Sequence, residues 1–197
     1  MKKTIKTIFF VITFIAIFEK IYALENEILK KGNINAKVTV KVFSSLTCPF
    51  CADFHTKIYK KLEREFVQNN VVKFEHHAFP LDLAALNAEK IIRCGNSIDS
   101  KFKLLDEIYK KQSEWAVGSD INEINNSLLK IGMSLNLDKS KLENCLIDDS
   151  LQDKILNQRI DAQKKYKIES TPTIFINEKK YEGKFDFDSI KKYIEKI

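Results

Sequence analysis

Two cysteines, Cys48 and Cys51, lie three positions apart in the stretch Cys48-Pro49-Phe50-Cys51 and carry the clearest chemical signal in the chain. Cysteines at this spacing can open and close a disulfide, because a thiolate formed on one sulfur lies within reach of the other. In a strand–loop–helix setting such a pair is typical of redox proteins. The sequence therefore predicts thiol–disulfide exchange at this site.

The elements on either side place the pair at the start of a helix. Residues 37–43 alternate and are rich in β-branched side chains, which predicts a strand. Cys48 then stands at a helix N-terminus, where unpaired N–H groups and the helix dipole favour a thiolate, and Pro49 fits the first turn. Beyond the pair, three- and four-residue steps predict a helix with one apolar face, formed by Cys51, Phe54, Ile58, Leu62 and Phe66.

Two other interpretations of the pair are a static disulfide and half of a zinc site. A zinc site needs a second pair of ligands at similar spacing. Cys94 and Cys145 are isolated, and His55 adds a single ligand. We therefore expect redox chemistry at Cys48 and Cys51, with no metal and no cofactor.

The N-terminus is typical of a secretory signal peptide. Lysines at positions 2, 3 and 6 precede an apolar run, residues 7–18, which has the length of a signal core and is short for a membrane span. We expect cleavage after Ala23, so that residues 1–23 form the signal peptide; an uncleaved membrane anchor is the alternative. Export predicts a periplasmic location, where cysteines can be oxidised.

The charge of the chain argues against nucleic-acid binding. The formal net charge is +6, and it falls to +3 without residues 1–23, which carry four lysines and one glutamate. No basic cluster is interleaved with aromatic residues, so no nucleic-acid partner is expected.

The order of the predicted elements indicates an α/β domain with an insertion. After a lead-in at residues 25–36, a strand, the cysteine helix and a second strand at 71–79 make up a first half, residues 24–80. Helical periodicity then runs through residues 81–166, where Gly132 is expected to end one helix. Short strands at 173–176 and 181–184 and a last helix complete a second half, residues 167–197. Residues 81–166 are therefore predicted to be an inserted helical domain.

Thr171-Pro172 stands between a polar turn and the strand at 173–176. An X-Pro bond at so tight a strand entry is a candidate for the cis form. A plain strand-entry proline is the alternative.

These features together resemble the thioredoxin superfamily, and within it the DsbA-like thiol:disulfide oxidoreductases of the alphaproteobacterial type. In that branch the thioredoxin fold is interrupted by an inserted all-helical domain. The resemblance covers roughly residues 36–197 and rests on four segments in the right order: Ser45–Cys51, Phe79–Asp82, Ser170–Thr173 and Thr173–Asn177.

The resemblance implies roles for four residues and for two kinds of partner. Cys48 would be the nucleophile, Cys51 the resolving thiol and Pro172 a cis-proline beside the disulfide, while the backbone of Thr171 would bind a substrate strand. The implied function is oxidation: disulfides form in unfolded or partly folded exported proteins, and a DsbB-like membrane partner reoxidises the enzyme. A reductase or isomerase is the main alternative, because potential and partner set the direction. A non-catalytic, metal-handling module is a further alternative.

Two positions depart from the strongest oxidants of this branch. Phe50 stands where many relatives have histidine, and Val42 stands where many have a buried acid. Both changes remove charge near the thiols, so we expect a less stabilised Cys48 thiolate and a less oxidising couple. Pro49 and Phe50 are the residues expected to tune the potential.

Cys94 and Cys145 are the partners that remain once Cys48 pairs with Cys51. In an oxidising compartment they are expected to form a structural disulfide, worth about 4 kcal/mol on the chain-entropy model. Some members of the branch carry a second disulfide, which supports this pairing. Two buried free thiols are the alternative.

The histidines are not expected to be catalytic. His55 is predicted to lie on the surface of the cysteine helix, and residues 57–65 form a charge-rich, solvated face. His76 and His77 are neighbours on a strand and so point to opposite sides of the sheet. Trp115 is expected in the core.

Overall fold

The computed structural model describes residues 28–197; the predicted signal peptide, residues 1–23, lies outside them. The described strands are β1 (Leu29–Lys31), β2 (Val38–Ser44), β3 (Val72–Ala78), β4 (Thr173–Ile176) and β5 (Lys179–Lys180). They form one mixed sheet, with order β1-β3-β2-β4-β5. Strand β2 is parallel to β3, and the other neighbouring strands are antiparallel. The strand that leads to the cysteine pair, β2, is therefore central.

Two details of the sheet differ from the sequence prediction. Strand β1 lies in the stretch predicted as a lead-in, because three residues are too few to show an alternating pattern. Strand β5 begins at Lys179, ahead of the predicted residues 181–184. The reason is a two-residue turn at Asn177 and Glu178, whose positive φ angles of 47° and 65° start the pairing with β4 at once.

The helix that follows the cysteine pair, α1, is continuous but not uniform. It begins as an α-helix at Pro49–Asp53, passes through a π-type stretch at Phe54–Tyr59 and a turn of α-helix at Lys60–Leu62, and ends in a second π-type stretch at Glu63–Val67. Its predicted apolar face is buried, from Cys51, 1 % exposed, to Phe66, 7 % exposed.

Six helices lie between β3 and β4, so a helical block interrupts the α/β fold, as the sequence predicts. The division into domains at residues 80 and 166 stays a prediction. The helices are α2 (Leu83–Arg93), α3 (Ile98–Lys110), α4 (Gln112–Trp115), α5 (Ile121–Ser134), α6 (Lys139–Leu146) and α7 (Asp149–Tyr166); helix α8 (Phe187–Ile194) follows β5.

Capping side chains explain where these helices begin. In five of them an aspartate accepts a hydrogen bond from a first-turn backbone N–H at 2.7–2.9 Å, which satisfies a donor that the helix itself leaves unpaired. The five aspartates are Asp82, Asp120, Asp138, Asp148 and Asp186.

The prediction that Gly132 ends a helix is wrong, since α5 continues to Ser134. A Cβ atom at Gly132 would lie 2.7 Å from Cδ1 of Leu142. The lack of a side chain at Gly132 therefore allows α6 to pack closely against α5, and this glycine does not end the helix.

Both faces of the sheet are covered. Val40 and Val42 of β2 lie in a large core shared with α1 and the helical block. On the other face, Phe43 packs with Phe175 of β4 and with Ala162 of α7. Among residues 28–197, no helix combines the length and the apolar character that crossing a bilayer requires.

Candidate active site

The cysteine pair lies where the central strand β2 gives way to α1. Cys48 is the N-cap residue, with φ −76° and ψ 120°, and Pro49 occupies the first turn. The backbone N–H groups of Cys51 and Ala52 donate to the carbonyl oxygen of Cys48 at 3.1 and 3.2 Å. Cys48 is partly exposed, whereas Cys51 is buried. The geometry therefore leaves Cys48 accessible and encloses Cys51 behind it.

The enclosed thiol is a weak acid. Burial raises the pKa of Cys51 to about 12, and the neighbouring Cys48 acts in the same direction. The backbone of Ser45 and the side chain of Thr171 oppose this shift without cancelling it. Cys51 therefore keeps its proton throughout the neutral range.

The loop that contains Thr171 and Pro172 reaches the cysteine pair from the far end of the chain. The Thr171–Pro172 peptide bond is cis. The Sγ atom of Cys48 donates a hydrogen bond to the carbonyl oxygen of Thr171, at 3.3 Å. The hydroxyl of Thr173 donates to the carbonyl oxygen of Ser170 at 2.6 Å, which braces the loop. Four residues singled out from the sequence, Cys48, Cys51, Thr171 and Pro172, are thus brought together.

The helical block contributes one residue that the sequence analysis missed. The side-chain amide of Gln112, at the start of α4, donates to the carbonyl oxygens of Leu46 and Cys48, at 2.7 and 3.0 Å. These bonds tie the turn before the cysteines to the helical block. Nothing in the sequence around Gln112 indicates this role, because a single glutamine at the start of a short helix is not part of a recognisable motif.

A second tie runs from the cysteine loop to the start of α2. The hydroxyl of Thr47 donates to Oδ2 of Asp82 at 2.7 Å, and Oδ1 of the same carboxyl group caps α2 by accepting from Ala85 at 2.7 Å. The backbone N–H of Leu81 donates to the hydroxyl of Ser45 at 3.3 Å. The loop is therefore held on both sides by elements distant in sequence.

An apolar groove lies beside the pair. Phe50 is 73 % exposed, an unusual exposure for a phenylalanine. Together with Pro172, Phe185 and Phe187 it lines an open groove of about 550 Å³. The groove offers apolar surface next to the accessible sulfur of Cys48.

The prediction of a surface position for His55 is wrong. His55 is 2 % exposed, and its Nε2 lies 2.7 Å from Oδ1 of Asp106 on α3. Helix α3 covers this side of α1, so the charged stretch at residues 57–65 is not all solvated either. Glu63 is 5 % exposed and forms ion pairs with Lys31 and Lys60.

His76 and His77 point to opposite sides of the sheet, as expected, and each binds a carboxyl group. Nε2 of His76 lies 2.6 Å from Oε1 of Glu89 on α2, and Nε2 of His77 lies 3.0 Å from Oε2 of Glu75. The core position of Trp115 is confirmed: the side chain is 1 % exposed, and its indole N–H donates to a backbone carbonyl.

Cys94 and Cys145 lie apart from the exchange pair. The structure joins them in a disulfide between the end of α2 and α6, with Cα atoms 6.2 Å apart. Within residues 28–197, no group of three or more His, Cys, Asp or Glu side chains is placed to hold a metal ion.

Comparison with known proteins connects this geometry to one family. The family model described as Thioredoxin matches residues 25–196. The chain is 30 % identical to disulfide bond formation protein D of Bacillus subtilis (strain 168), over 84 % of this chain and 74 % of that protein.

Two solved structures show the same fold. Wolbachia pipientis alpha-DsbA1 superposes with a TM-score of 0.78 at 24 % identity, over 86 % of this chain and 89 % of that one. A protein-disulfide isomerase from Novosphingobium aromaticivorans superposes with a TM-score of 0.76 at 22 % identity, over 85 % and 95 % of the two chains.

Proposed function

The chain belongs to the thioredoxin family, as a DsbA-like thiol:disulfide oxidoreductase, and from that premise we propose that it is an exported oxidant. It passes the Cys48–Cys51 disulfide to other exported proteins in the periplasm. A membrane partner of the DsbB kind then reoxidises it.

The observation that carries the proposal is the contrast between the two sulfurs. Cys48 is partly exposed at the start of α1, whereas Cys51 is buried and holds its proton, with its pKa raised by burial to about 12. An incoming thiolate can reach Cys48 only. Once Cys51 is released and protonated, it is a poor nucleophile at neutral pH, which favours transfer of the disulfide to the substrate.

The reaction follows from these positions. A substrate thiolate attacks the Cys48 sulfur of the oxidised enzyme, the Cys48–Cys51 bond breaks, and the Cys51 sulfur takes the electron pair and a proton. A second substrate thiolate then attacks the substrate sulfur of the mixed disulfide. Cys48 leaves as a thiolate, which the N–H groups at the start of α1 stabilise. The substrate gains one disulfide, and the enzyme ends with two reduced cysteines.

The groove beside the pair fits an unfolded substrate. Partly folded exported proteins expose apolar side chains, and the surface formed by Phe50, Phe185 and Phe187 can bind them while the carbonyl of Thr171 sits beside the reacting sulfur. Such apolar contact is non-directional, so it suits substrates of varied sequence.

The direction of exchange can be tested with two reactions run side by side. Oxidised enzyme is mixed with a reduced, unfolded disulfide protein, and intact mass after alkylation counts thiols on both proteins. We expect one substrate disulfide for each pair of enzyme thiols that appears, and slow reduction of insulin by the reduced enzyme with a thiol supply. Fast insulin reduction without substrate oxidation would instead favour a reductase. The Cys48→Ala variant is the control and should be inert in both reactions.

A further inference from the structure

A groove lined by lysines lies next to the apolar groove beside the cysteine pair, and the exchange reaction above makes no use of it. It is open, has a volume of about 620 Å³, and lies between the turn after β5 and helix α8. We call it the basic groove. Its lysines and tyrosines are Lys180, Lys184, Lys192, Lys196, Tyr181 and Tyr193.

The positive charge of the basic groove is not neutralised within the described part of the chain. Its four lysines are exposed, and none of them forms an ion pair or donates a hydrogen bond through its ammonium group to residues 28–197. Among the described residues that line the groove, Glu182 is the single acid. Lys191, on the same helix, differs because it binds Glu65 at 2.8 Å. Unpaired like charges repel each other, so an anion bound in the groove would relieve this repulsion.

Packing around Tyr181 holds the basic groove in shape. The ring is 5 % exposed, and its hydroxyl donates to the carbonyl oxygen of Lys184 at 3.0 Å. The same ring meets Tyr193 of α8 edge-on, with centroids 5.4 Å apart. A Cβ atom at Gly183 would collide with the Tyr181 hydroxyl, so the turn depends on glycine there. The turn after β5 is therefore tied to α8, and the fold itself forms the groove.

The basic groove continues the apolar groove that begins at the cysteine pair. Phe185 lines the apolar groove, and its ring centroid lies 6.4 Å from that of Tyr181 in the basic groove. Lys184 and Phe185 are consecutive, and each lines one of the two grooves. The apolar groove reaches Thr171, whose carbonyl oxygen lies 3.3 Å from the Cys48 sulfur. A chain segment bound at Cys48 can therefore run along the apolar groove into the basic one.

Two acidic side chains along this path have partners of their own. Asp53 binds Lys57 at 2.6 Å. Asp186 caps α8 by accepting a hydrogen bond from the backbone N–H of Ser189 at 2.8 Å. These carboxylates are already engaged, so they do not offset the lysines of the basic groove.

We propose that the basic groove binds an acidic segment of the protein that exchanges its disulfide at Cys48. The inference rests on the exchange proposed at Cys48 and Cys51, and it narrows the class of substrate. The substrates are exported proteins in which aspartate or glutamate residues follow an apolar stretch close to a reacting cysteine. Lysine ammonium groups attract carboxylates as point charges without demanding one geometry, which suits segments of varied sequence.

The shape of the site favours a peptide over a lipid surface. A concave groove that leads towards the reacting sulfur fits an extended chain, whereas a bilayer presents a flat array of charges. The bonds that form and break are those of the exchange reaction: a thiolate of the bound segment attacks the Cys48 sulfur, and Cys51 takes the electron pair and a proton. The groove acts on the encounter, so its effect is on the bimolecular rate and is screened by salt.

The test compares two peptides that differ only in a tail. Both carry two cysteines and an apolar stretch; one ends in four glutamates and the other in four glutamines, and each tail is also made at the opposite end to sample both chain directions. Oxidised enzyme is mixed with each peptide at pH 7, and intact mass after alkylation gives the rate constant of disulfide transfer. In one chain direction the glutamate peptide should react about 10-fold faster at low salt. This advantage should shrink to less than about 2-fold at about 0.5 M salt.

Two triple variants form a matched pair with the same change in net charge. The first removes charge from the basic groove: Lys184→Gln/Lys192→Gln/Lys196→Gln. The second removes charge from exposed positions on α3, α5 and α7: Lys103→Gln/Lys130→Gln/Lys164→Gln. The first should lose the preference for the glutamate peptide, and the second should keep it. Because the ratio of the two rates is compared between enzymes, differences in the reactivity of the peptides themselves cancel.

Charge reversal separates a binding role of these lysines from a structural one. The variant Lys184→Glu/Lys192→Glu/Lys196→Glu should prefer a peptide with a tail of four lysines, which loss of structure alone would not produce. Thermal unfolding shows which variants are folded. If a triple variant does not fold, Lys192→Gln alone takes its place and should lower the preference by about 2-fold.

The inference is overturned if the unaltered enzyme oxidises both peptides equally fast, or if the two triple variants lose the preference equally. It is also overturned if the first variant loses only its binding to phosphatidylglycerol vesicles, since the groove would then serve a lipid surface. Failure of the proposed exchange has a different signature: the glutamine peptide would not be oxidised at all. A cysteine-free glutamate peptide, whose binding is measured by calorimetry, would still report on the groove in that case.

Discussion

The sulfur of Cys48 lies 3.3 Å from the carbonyl oxygen of Thr171, across 123 residues of chain. A carbonyl oxygen can accept a hydrogen bond from the thiol, but it cannot stabilise a thiolate. The Cys48 thiolate must therefore depend on the N–H groups at the start of α1. The same carbonyl lies free to accept from a substrate backbone once the thiol proton has left.

The two cysteines should differ sharply in reactivity. With iodoacetamide at pH 8, we expect the reduced protein to be alkylated at Cys48, while Cys51 stays unmodified because it is buried and its pKa is raised to about 12. Peptide mass mapping after short exposure checks this. Alkylation of both sulfurs at equal rates in the folded protein would contradict the contrast on which the proposed function depends.

Replacement of Phe50 by histidine should make the couple more oxidising. A protonated imidazole beside Cys48 attracts its thiolate, but Phe50 is 73 % exposed, so solvent screens the attraction. We expect a potential about 20 mV less negative at pH 6, equivalent to about 1 kcal/mol, and a smaller change at pH 8, where histidine is neutral. Equilibration with glutathione buffers measures it. Phe50→Gln, polar but uncharged, is the control and should show no such pH dependence.

Gln112→Ala should destabilise the protein and loosen the cysteine loop. The substitution removes two hydrogen bonds to the carbonyl oxygens of Leu46 and Cys48, for a loss of about 1–3 kcal/mol. Urea unfolding checks the loss. Gln163→Ala, at an exposed position on α7, is the matched control and should change stability by less than about 0.5 kcal/mol. Equal stability of the two variants would contradict a tie through Gln112.

The Cys94–Cys145 disulfide should act on stability and not on exchange. Its sequence separation is 51 residues, so the double variant Cys94→Ala/Cys145→Ala should lose about 4 kcal/mol on the chain-entropy model. Urea unfolding of oxidised protein measures this, and Cys145→Ala alone should lose a similar amount, since it too removes the cross-link. Transfer of the Cys48–Cys51 disulfide to a substrate should keep its rate; a large change would mean that the second disulfide belongs to the exchange machinery.

Glu75 should contribute stability that disappears in acid. Burial alone would raise its pKa, but His77 and Lys73 outweigh burial and hold the pKa of Glu75 at about 2, below the ordinary 4.5. A carboxyl group whose pKa is lowered by folding stabilises the protein above its unfolded pKa. The stability advantage over Glu75→Gln should therefore be full near pH 6 and fade as the pH falls from about 4.5 towards 2. Urea unfolding across this range tests it, and a constant difference would contradict the assignment.

Local interactions determine much of the secondary structure of this protein, so those elements could be predicted from the sequence. Alternation over residues 37–43, the apolar face of α1 and the first-turn proline after Cys48 each depend on neighbours a few positions away. The resemblance of four segments to one family then identified the fold and the family.

The contacts that turn the cysteine pair into a site depend on which distant segments pack against it. The carbonyl of Thr171 and the amide of Gln112 reach Cys48 through the folded path of the whole chain. His55 was misplaced on the surface because periodicity shows which face of a helix is apolar but not that α3 covers its polar edge. For the same reason only the tertiary structure showed that the ring of Tyr109 stacks on that of His55. Sequence alone determined which sulfurs can react, and packing determined which groups surround each of them.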